Sequence, residues 1–347
     1  MKKKIIIVKI TVFILSLMTL TVLINMGVSN PNAVKAFRAK TNKFIPSDEF
    51  DTNVKTNIGT VDVIYPYNMC EKGVGKVNIE CLFYNELDFM NIKDYKFDKN
   101  VETIRGLIVP HHLLAKDLIH EAFQTVVKNL ENQETTSTDK IGNISKYKTV
   151  VIFGPDHEST NRGKVFTSSS NWQSPKGILN ADKDIIGKIS ELDFVIENDE
   201  KMTVEHSISG FVPFIKYYFS DAKIVPLALT KQLTLENLNS LLYLLVENLD
   251  IETTLFISSV DFSHYLSLEE ANKMDEVSIE AIINKDIEKI MKFTNDNMDS
   301  PNSIVAMLNT MELIEAEKVK IINKTNSQII LNKKIDETTS YVTFLFY

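Results

Sequence analysis

The sequence predicts an α/β protein built on a mostly parallel sheet, and two observations carry that reading. From Arg105 onward, short β-branched or apolar runs alternate with longer stretches of helical periodicity, the pattern of strands joined by helical crossovers. Three of those runs end directly in polar motifs: 105–109 leads into Pro110-His111-His112, 149–153 into Gly154-Pro155-Asp156-His157-Glu158, and 254–259 into Val260-Asp261-Phe262-Ser263-His264. Open α/β sheets bind ligands beyond the carboxyl ends of their strands, so groups delivered there converge although they are far apart in the chain.

Taken in order, Met1 to Lys4 hold three lysines and residues 5–28 are almost wholly apolar apart from Lys9, Asn25 and a few Ser and Thr. This is the pattern of a signal peptide or of one uncleaved spanning helix, and the basic end stays cytoplasmic by the positive-inside rule. The expectation is an N-terminal transmembrane anchor or signal segment at 1–28. The remainder then faces outward, single-pass at the cell membrane or alternatively secreted. Residues 29–99 read as a polar stalk to about 55, followed by an extension with strand-like pieces at 61–65 and 76–83 that the sequence does not assign to a fold. In an exported chain Cys70 and Cys81 are placed to close a short loop as a disulfide; two free thiols is the alternative.

The α/β domain is expected over 100–347. Its strands are 105–109, 148–153, 223–229, 253–259, 319–323 and 340–346, and its helices 113–130, 211–219, 234–249, 268–284 and 303–315, with a polar loop at 131–145. Leucines at 235, 238, 241, 242, 244 and 245 give the helix 234–249 its apolar stripe. The formal net charge of −8 and the scarcity of Arg beside Lys exclude a nucleic-acid surface, which needs a basic stripe against phosphates.

Five of the six histidines lie in four motifs, the fourth being Glu205-His206-Ser207 at the start of an amphipathic stretch. Imidazoles and carboxylates at strand ends are the material of a metal or acid/base site. His111 and His157 are the strongest candidates. His112 is weaker, because adjacent residues on an extended segment point in opposite directions. His120, inside a helix beside Lys116 and Asp117, reads as a solvated surface residue. Asp261 stands three residues before His264, a spacing that suits a carboxylate orienting an acid/base imidazole.

The ordered set Pro110-His111, Gly154-Pro155-Asp156-His157, Trp172 with Ser174-Pro175-Lys176-Gly177, Glu205-His206-Ser207-Ile208, Val212-Pro213-Phe214 and Ser258 to His264 resembles the Memo family, whose bacterial members are called AmmeMemoRadiSam system protein B. The resemblance runs from about Leu107 to Asn309 and implies a three-layer α/β/α sandwich related to the class III extradiol dioxygenases (LigB-like). It implies one divalent metal held by His111, His157 and a third ligand that is a cysteine in the family and falls on Asp299 here. Asp296 in the same loop leaves that register open. Two histidines and one carboxylate suit iron(II) and equally zinc, with copper also possible. Glu158, Glu205 and His206 then surround the ligands, and His264 is the acid/base. The function expected is a metal-dependent enzyme with a dioxygenase-like site acting on a small molecule. The alternatives are a membrane-anchored binding protein without turnover, or a zinc-dependent hydrolase.

Overall fold

The computed structural model describes residues 78–96, 98, 101–136, 147–158 and 163–347. The apolar segment 5–28, the polar stretch 29–55 and Cys70 lie outside the described residues. No helix among the described residues is long and apolar enough to cross a membrane.

In chain order the strands are β1 (Asn78–Glu80), β2 (Gly106–Val109), β3 (Thr149–Pro155), β4 (Val165–Thr167), β5 (Asn171–Ser174), β6 (Gly177–Ala181), β7 (Val195–Glu197), β8 (Lys223–Leu229), β9 (Thr254–Ser259), β10 (Val319–Asn326) and β11 (Ser340–Phe346). The α-helices are α1 (Lys116–Thr136), α2 (Lys183–Ile189), α3 (Asp199–Val204), α4 (His206–Ser209), α5 (Val212–Tyr218), α6 (Leu235–Asn248), α7 (Leu268–Ile283), α8 (Ile287–Ile290), α9 (Pro301–Leu313) and α10 (Ser327–Leu331). The strands form one sheet in the order β1-β5-β6-β8-β3-β9-β2-β11-β10, with β4 paired to β8 and β7. Its centre, β8-β3-β9-β2, is parallel throughout, and antiparallel pairs occur at β2/β11, β10/β11, β5/β6 and β4/β8.

The central strands are buried on both faces, as parallel strands flanked by crossovers must be. Alternate residues feed two cores. Ile108, Val151, Phe153, Val225, Leu227 and Phe256 pack with α2, α6, α8 and α9, whereas Leu107, Val109, Val150, Ile152, Ile224, Leu255 and Ile257 pack with α1 and α5. Helices therefore cover both faces of the sheet. Helix α9 is apolar nearly all round, with Ile304 to Leu308 all buried, because it lies between the sheet and α6.

Several elements depart from the sequence expectation. The first helix continues through 131–136, which read as loop, and starts with a 3-10 turn at Leu113–Ala115. Strands β4 to β7 were not expected: each is only three to five residues long, too short to show periodicity. Residues 78–96, unassigned by sequence, pack against the domain, and β1 lies parallel on β5.

His120 corrects an expectation. It is buried rather than solvated, because the 86–93 segment folds over its face of α1. The Nε2 lies 2.8 Å from the Asp88 carbonyl, the Nδ1 2.9 Å from the Tyr218 hydroxyl, and Phe89 stands edge-on at 5.4 Å. Helical periodicity reports a helix's own pattern and is blind to a distant segment that covers its polar side.

Two predictions follow from this packing. Burial holds the His120 ring below its ordinary value of 6.5, against the opposing pull of the Asp88 carbonyl. The folded chain thus binds fewer protons there than the unfolded chain, and the associated stability is present above about 6.5 and lost as pH falls. Urea midpoints of the parent and of His120→Gln should diverge between neutral and acid pH, with the parent losing more; parallel curves would contradict the assignment. Gly154 lets β3 approach α4 closely, since a β-carbon there would sit 2.7 Å from Ser207 Oγ and 2.9 Å from Ile208 Cδ1. Gly154→Ala should cost about 1–3 kcal/mol by overpacking, measured by urea unfolding.

Candidate metal centre

Register brings the motifs together. In the parallel ladder Val109 is opposite Ser259 and Phe153 opposite Ser258, so the residues that follow, His111, His157 and Asp261, leave the sheet at one edge side by side. The Val260 N–H still bonds the Val109 carbonyl at 3.0 Å, which keeps the two exits aligned.

His111 is buried, and its Nδ1 lies 3.0 Å from Ser259 Oγ. The Ser259 hydroxyl donates its one hydrogen to the Ser207 carbonyl at 2.7 Å, so toward His111 it can only accept. The Nδ1 therefore carries a proton, and the Nε2 faces the site. There it meets Asp299 Oδ2 at 3.1 Å and Asp261 Oδ2 at 3.8 Å. Burial alone would lower the His111 pKa, but Asp261, Asp299 and Glu205 outweigh it and raise it to about 9. At neutral pH a proton rests where a cation would otherwise bind.

Glu205 organises the second group. Its buried carboxylate accepts from the His157 N–H at 2.9 Å, from His157 Nδ1 at 2.8 Å and, as N-cap of α4, from the Ser207 N–H at 2.9 Å. Burial would raise its pKa, yet the His157 hydrogen bond and the nearby imidazoles hold it down at about 2. With its lone pairs engaged, Glu205 orients His157 rather than serving as a free donor. The His157 Nε2 then points inward, 3.9 Å from Asp299 Oδ2. His206, the first residue of α4, stacks on His157 with centroids 4.1 Å apart, and meets His111 edge-on at 5.1 Å. Burial and the neighbouring imidazoles push its pKa down to about 3, which leaves the ring neutral with a lone pair to give.

Asp299 arrives from the other side. Its N–H donates to the Asp261 carbonyl at 3.1 Å, and Phe262 and Met298 form a bridge next to that contact. The first turn of α9 is pinned to the strand ends by Ser258 Oγ on the Ser303 carbonyl and by Asn302 Nδ2 on the Thr230 carbonyl, both at 2.9 Å. Burial opposes ionisation of Asp299, but His111, then His264 and His157, hold its pKa below the ordinary value. One oxygen, Oδ1, is buried and makes no hydrogen bond among the described residues.

His111, His157 and His206 offer ligand atoms all within 4.8 Å of one another, and His111, Asp261 and Asp299 form an overlapping group with the same spread. Donors about 2 Å from one ion lie about 3–4 Å apart, the range of the His111–Asp299 and His157–Asp299 distances. The orphaned Asp299 oxygen, the inward Nε2 atoms and the neutral His206 fit a divalent cation.

Residues 89–345 match the family model described as Memo-like protein. The chain belongs to the Memo family. A MEMO1 family protein of Methanosarcina barkeri is 31% identical over 195 residues, which are 53% of this chain and 71% of that protein. For another from Pyrobaculum aerophilum the identity is 27% over 203 residues, 57% and 72% of the two chains. A third, from Methanosarcina acetivorans, is 30% identical over 187 residues, 52% and 68%.

In this Memo family member the structure gathers His111, His157, His206, Glu205, Asp261 and Asp299. Asp296 is exposed while Asp299 is buried, so of the two loop acids Asp299 faces the site. Two expectations change. Asp261 does not orient His264; its Oδ1 accepts from the His111 N–H at 3.1 Å, because the tight exit of β9 turns that carboxylate toward β2. The Glu158 carboxylate turns away to Lys201, 3.5 Å off, beside the buried Lys201–Asp156 pair at 2.8 Å. His264 comes close enough to act on Asp299 electrostatically, and its own Nδ1 is buried without a hydrogen bond among the described residues. His112 instead bonds the Tyr341 hydroxyl at 2.6 Å. Sequence reasoning missed Ser259 and Ser207, the relay that sets the His111 tautomer. The serines stand in quoted motifs, but nothing local marks the contact.

Glu205→Ala strands the His157 and Ser207 donors and should cost about 1–3 kcal/mol in urea unfolding. It should also weaken divalent-ion binding by roughly tenfold or more. Glu158→Ala should leave both within about 0.5 kcal/mol of the parent; equal effects from the two variants would refute the role given to Glu205.

Proposed function

We propose that this protein binds one divalent metal ion through His111, His157 and Asp299, with His206 as a further donor, and that it is a metal-dependent enzyme for a small polar substrate. The observation that carries this is the buried Asp299 carboxylate, whose Oδ2 lies 3.1 Å from His111 Nε2 and 3.9 Å from His157 Nε2 while its Oδ1 makes no hydrogen bond among the described residues. A buried carboxylate oxygen left without a donor costs stability unless a cation or proton meets it. Two histidines and a carboxylate suit iron(II), in keeping with the extradiol-dioxygenase likeness, and zinc as well; copper is a third option. A divalent ion there would supply Lewis acidity toward a substrate oxygen, and iron would add redox chemistry.

The chain's own groups supply the rest. Ser259 and Glu205 fix the tautomers of His111 and His157, so that both present Nε2 to the same point. Asp261 anchors the His111 backbone. His264, whose buried Nδ1 makes no hydrogen bond among the described residues, is proposed to take or give a proton at substrate next to Asp299. Residues 5–28, with lysines behind them, are proposed to carry the domain across the membrane, either as an anchor or as a cleaved signal. A fusion after Asn53 should report from outside the cytoplasm; a cytoplasmic signal would refute this.

The metal assignment predicts about one ion per chain by elemental analysis of anaerobically purified protein. His111→Ala and His157→Ala should each remove it, while His264→Ala should retain it and lose turnover. Asp299→Ala should bind much more weakly, and Asp299→Cys should restore binding with a preference for zinc and copper(I), the softer ions. Asp296→Ala should match the parent. Full occupancy in the His111 and His157 variants would overturn the proposal.

A further inference from the structure

Residues 78–88 precede the region matched to the family, yet they reach the site. Strand β1 sets Ile79 opposite Trp172 on β5, and the Cys81 N–H extends the ladder to the Gln173 carbonyl at 2.9 Å. The Cys81 Sγ lies 3.2 Å from the carbonyl oxygen of Ser209, the last residue of the helix that His206 opens. Two residues on, the partly buried Phe83 ring tilts against His206 at 51°, with centroids 5.8 Å apart. The segment is fastened again beyond Phe83. Tyr84, Phe89 and Tyr217 surround the Lys176 ammonium, 5.7, 4.9 and 6.0 Å from their centroids, and Lys176 also bonds Glu86 at 2.9 Å. A cation over aromatic faces and a charge-assisted bond make this a firm anchor.

His206 is held differently from its neighbours. His111 has Ser259 behind its Nδ1 and His157 has Glu205, the usual way in which a ligating imidazole is oriented. No hydrogen bond among the described residues holds the His206 ring, whose Nδ1 is 3.7 Å from Glu205 Oε1. Apart from that carboxylate, the groups that fix its plane among the described residues are rings: His157 stacked at 4.1 Å, His111 edge-on at 5.1 Å, and Phe83. The first two are parts of the site, so among the described residues the ring support from outside it is Phe83. Tilted aromatic pairs are favourable and directional enough to hold a ring.

We infer that Phe83 is a positioning residue for His206, and that residues 78–89 form a wall of the metal site built largely from outside the matched family region. The inference rests on the proposed metal binding at His111, His157, Asp299 and His206. Its direct consequence is that the number of imidazoles on the ion depends on a residue that touches no ion.

The test uses the full-length chain loaded with Cu(II), in which the nitrogen hyperfine pattern of the electron paramagnetic resonance spectrum counts coordinated imidazoles. The parent should show three, His206→Ala two, and Phe83→Ala two with roughly tenfold weaker Cu(II) binding. Phe83→Tyr should restore the third, because a purely structural loss would not depend on the presence of a ring. A metal-free arm follows carbethoxylation of His206 by diethyl pyrocarbonate in chelator-treated protein: Phe83→Ala should raise the rate several-fold and Phe83→Tyr should not. Phe83→Leu, which keeps apolar volume, replaces Phe83→Ala should the latter fail to fold, with the same expected losses. Parent-like spectra and parent-like modification rates in both truncations would overturn the inference. A parent that binds no Cu(II), or a His206→Ala protein with the parent's nitrogen count, would overturn the metal reading instead, and the modification rates would still decide the role of Phe83.

Discussion

Parallel pairing of β2, β9 and β3 is the constraint from which the site descends. These strands are buried on both faces, and every second residue belongs to a different core. A slip of one residue would send each side chain to the opposite layer, so register is set by the burial of the whole sheet. Because parallel strands run the same way, their exits share one edge. The positions of His111, His157 and Asp261 relative to one another are consequently as well determined as the hydrophobic core itself, although the residues lie in loops.

The electrostatics follow from that convergence. Three buried acids, Glu205, Asp261 and Asp299, stand among three imidazoles. Each acid has a different set of partners. Glu205 accepts from three N–H donors, Asp261 takes a backbone N–H from His111, and Asp299 keeps one oxygen without a donor among the described residues. The same side-chain type is pushed in opposite directions within a few ångströms: His111, between carboxylates, rises to about 9, and His206, behind other imidazoles, falls to about 3. Acidic surroundings with one acceptor left open favour a cation, and the proton on His111 is its competitor.

Around this centre the packing that covers the domain also shapes the site. The 78–96 segment closes over α1 through Asp88 and Phe89, burying His120, and grips Lys176 from the other side. Between those contacts it passes His206. One stretch of chain thus contributes to stability and to the geometry of an imidazole, which ties the two together energetically.

The central strands and the two large crossover helices were legible in the sequence, since long apolar runs and their period report burial directly, and so was the delivery of His111 and His157 to neighbouring strand ends, where their rings lie 5.1 Å apart. The short strands β4 to β7 and helices α2 to α4 were not, because so few residues carry no period. Whether Asp296 or Asp299 faces the site was equally closed to sequence, as both lie in one polar loop; the clasp between Asp261 and Asp299 and the pinned first turn of α9 decided it. Asp261 and His264, three residues apart, looked like a pair, yet the backbone turn after β9 gives Asp261 to His111. What the chain determined by itself is which groups are available and at which strand ends. Which of them meet, and in which protonation state, was decided by contacts between segments up to some 150 residues apart, and no local pattern encodes such contacts because each depends on how both segments pack.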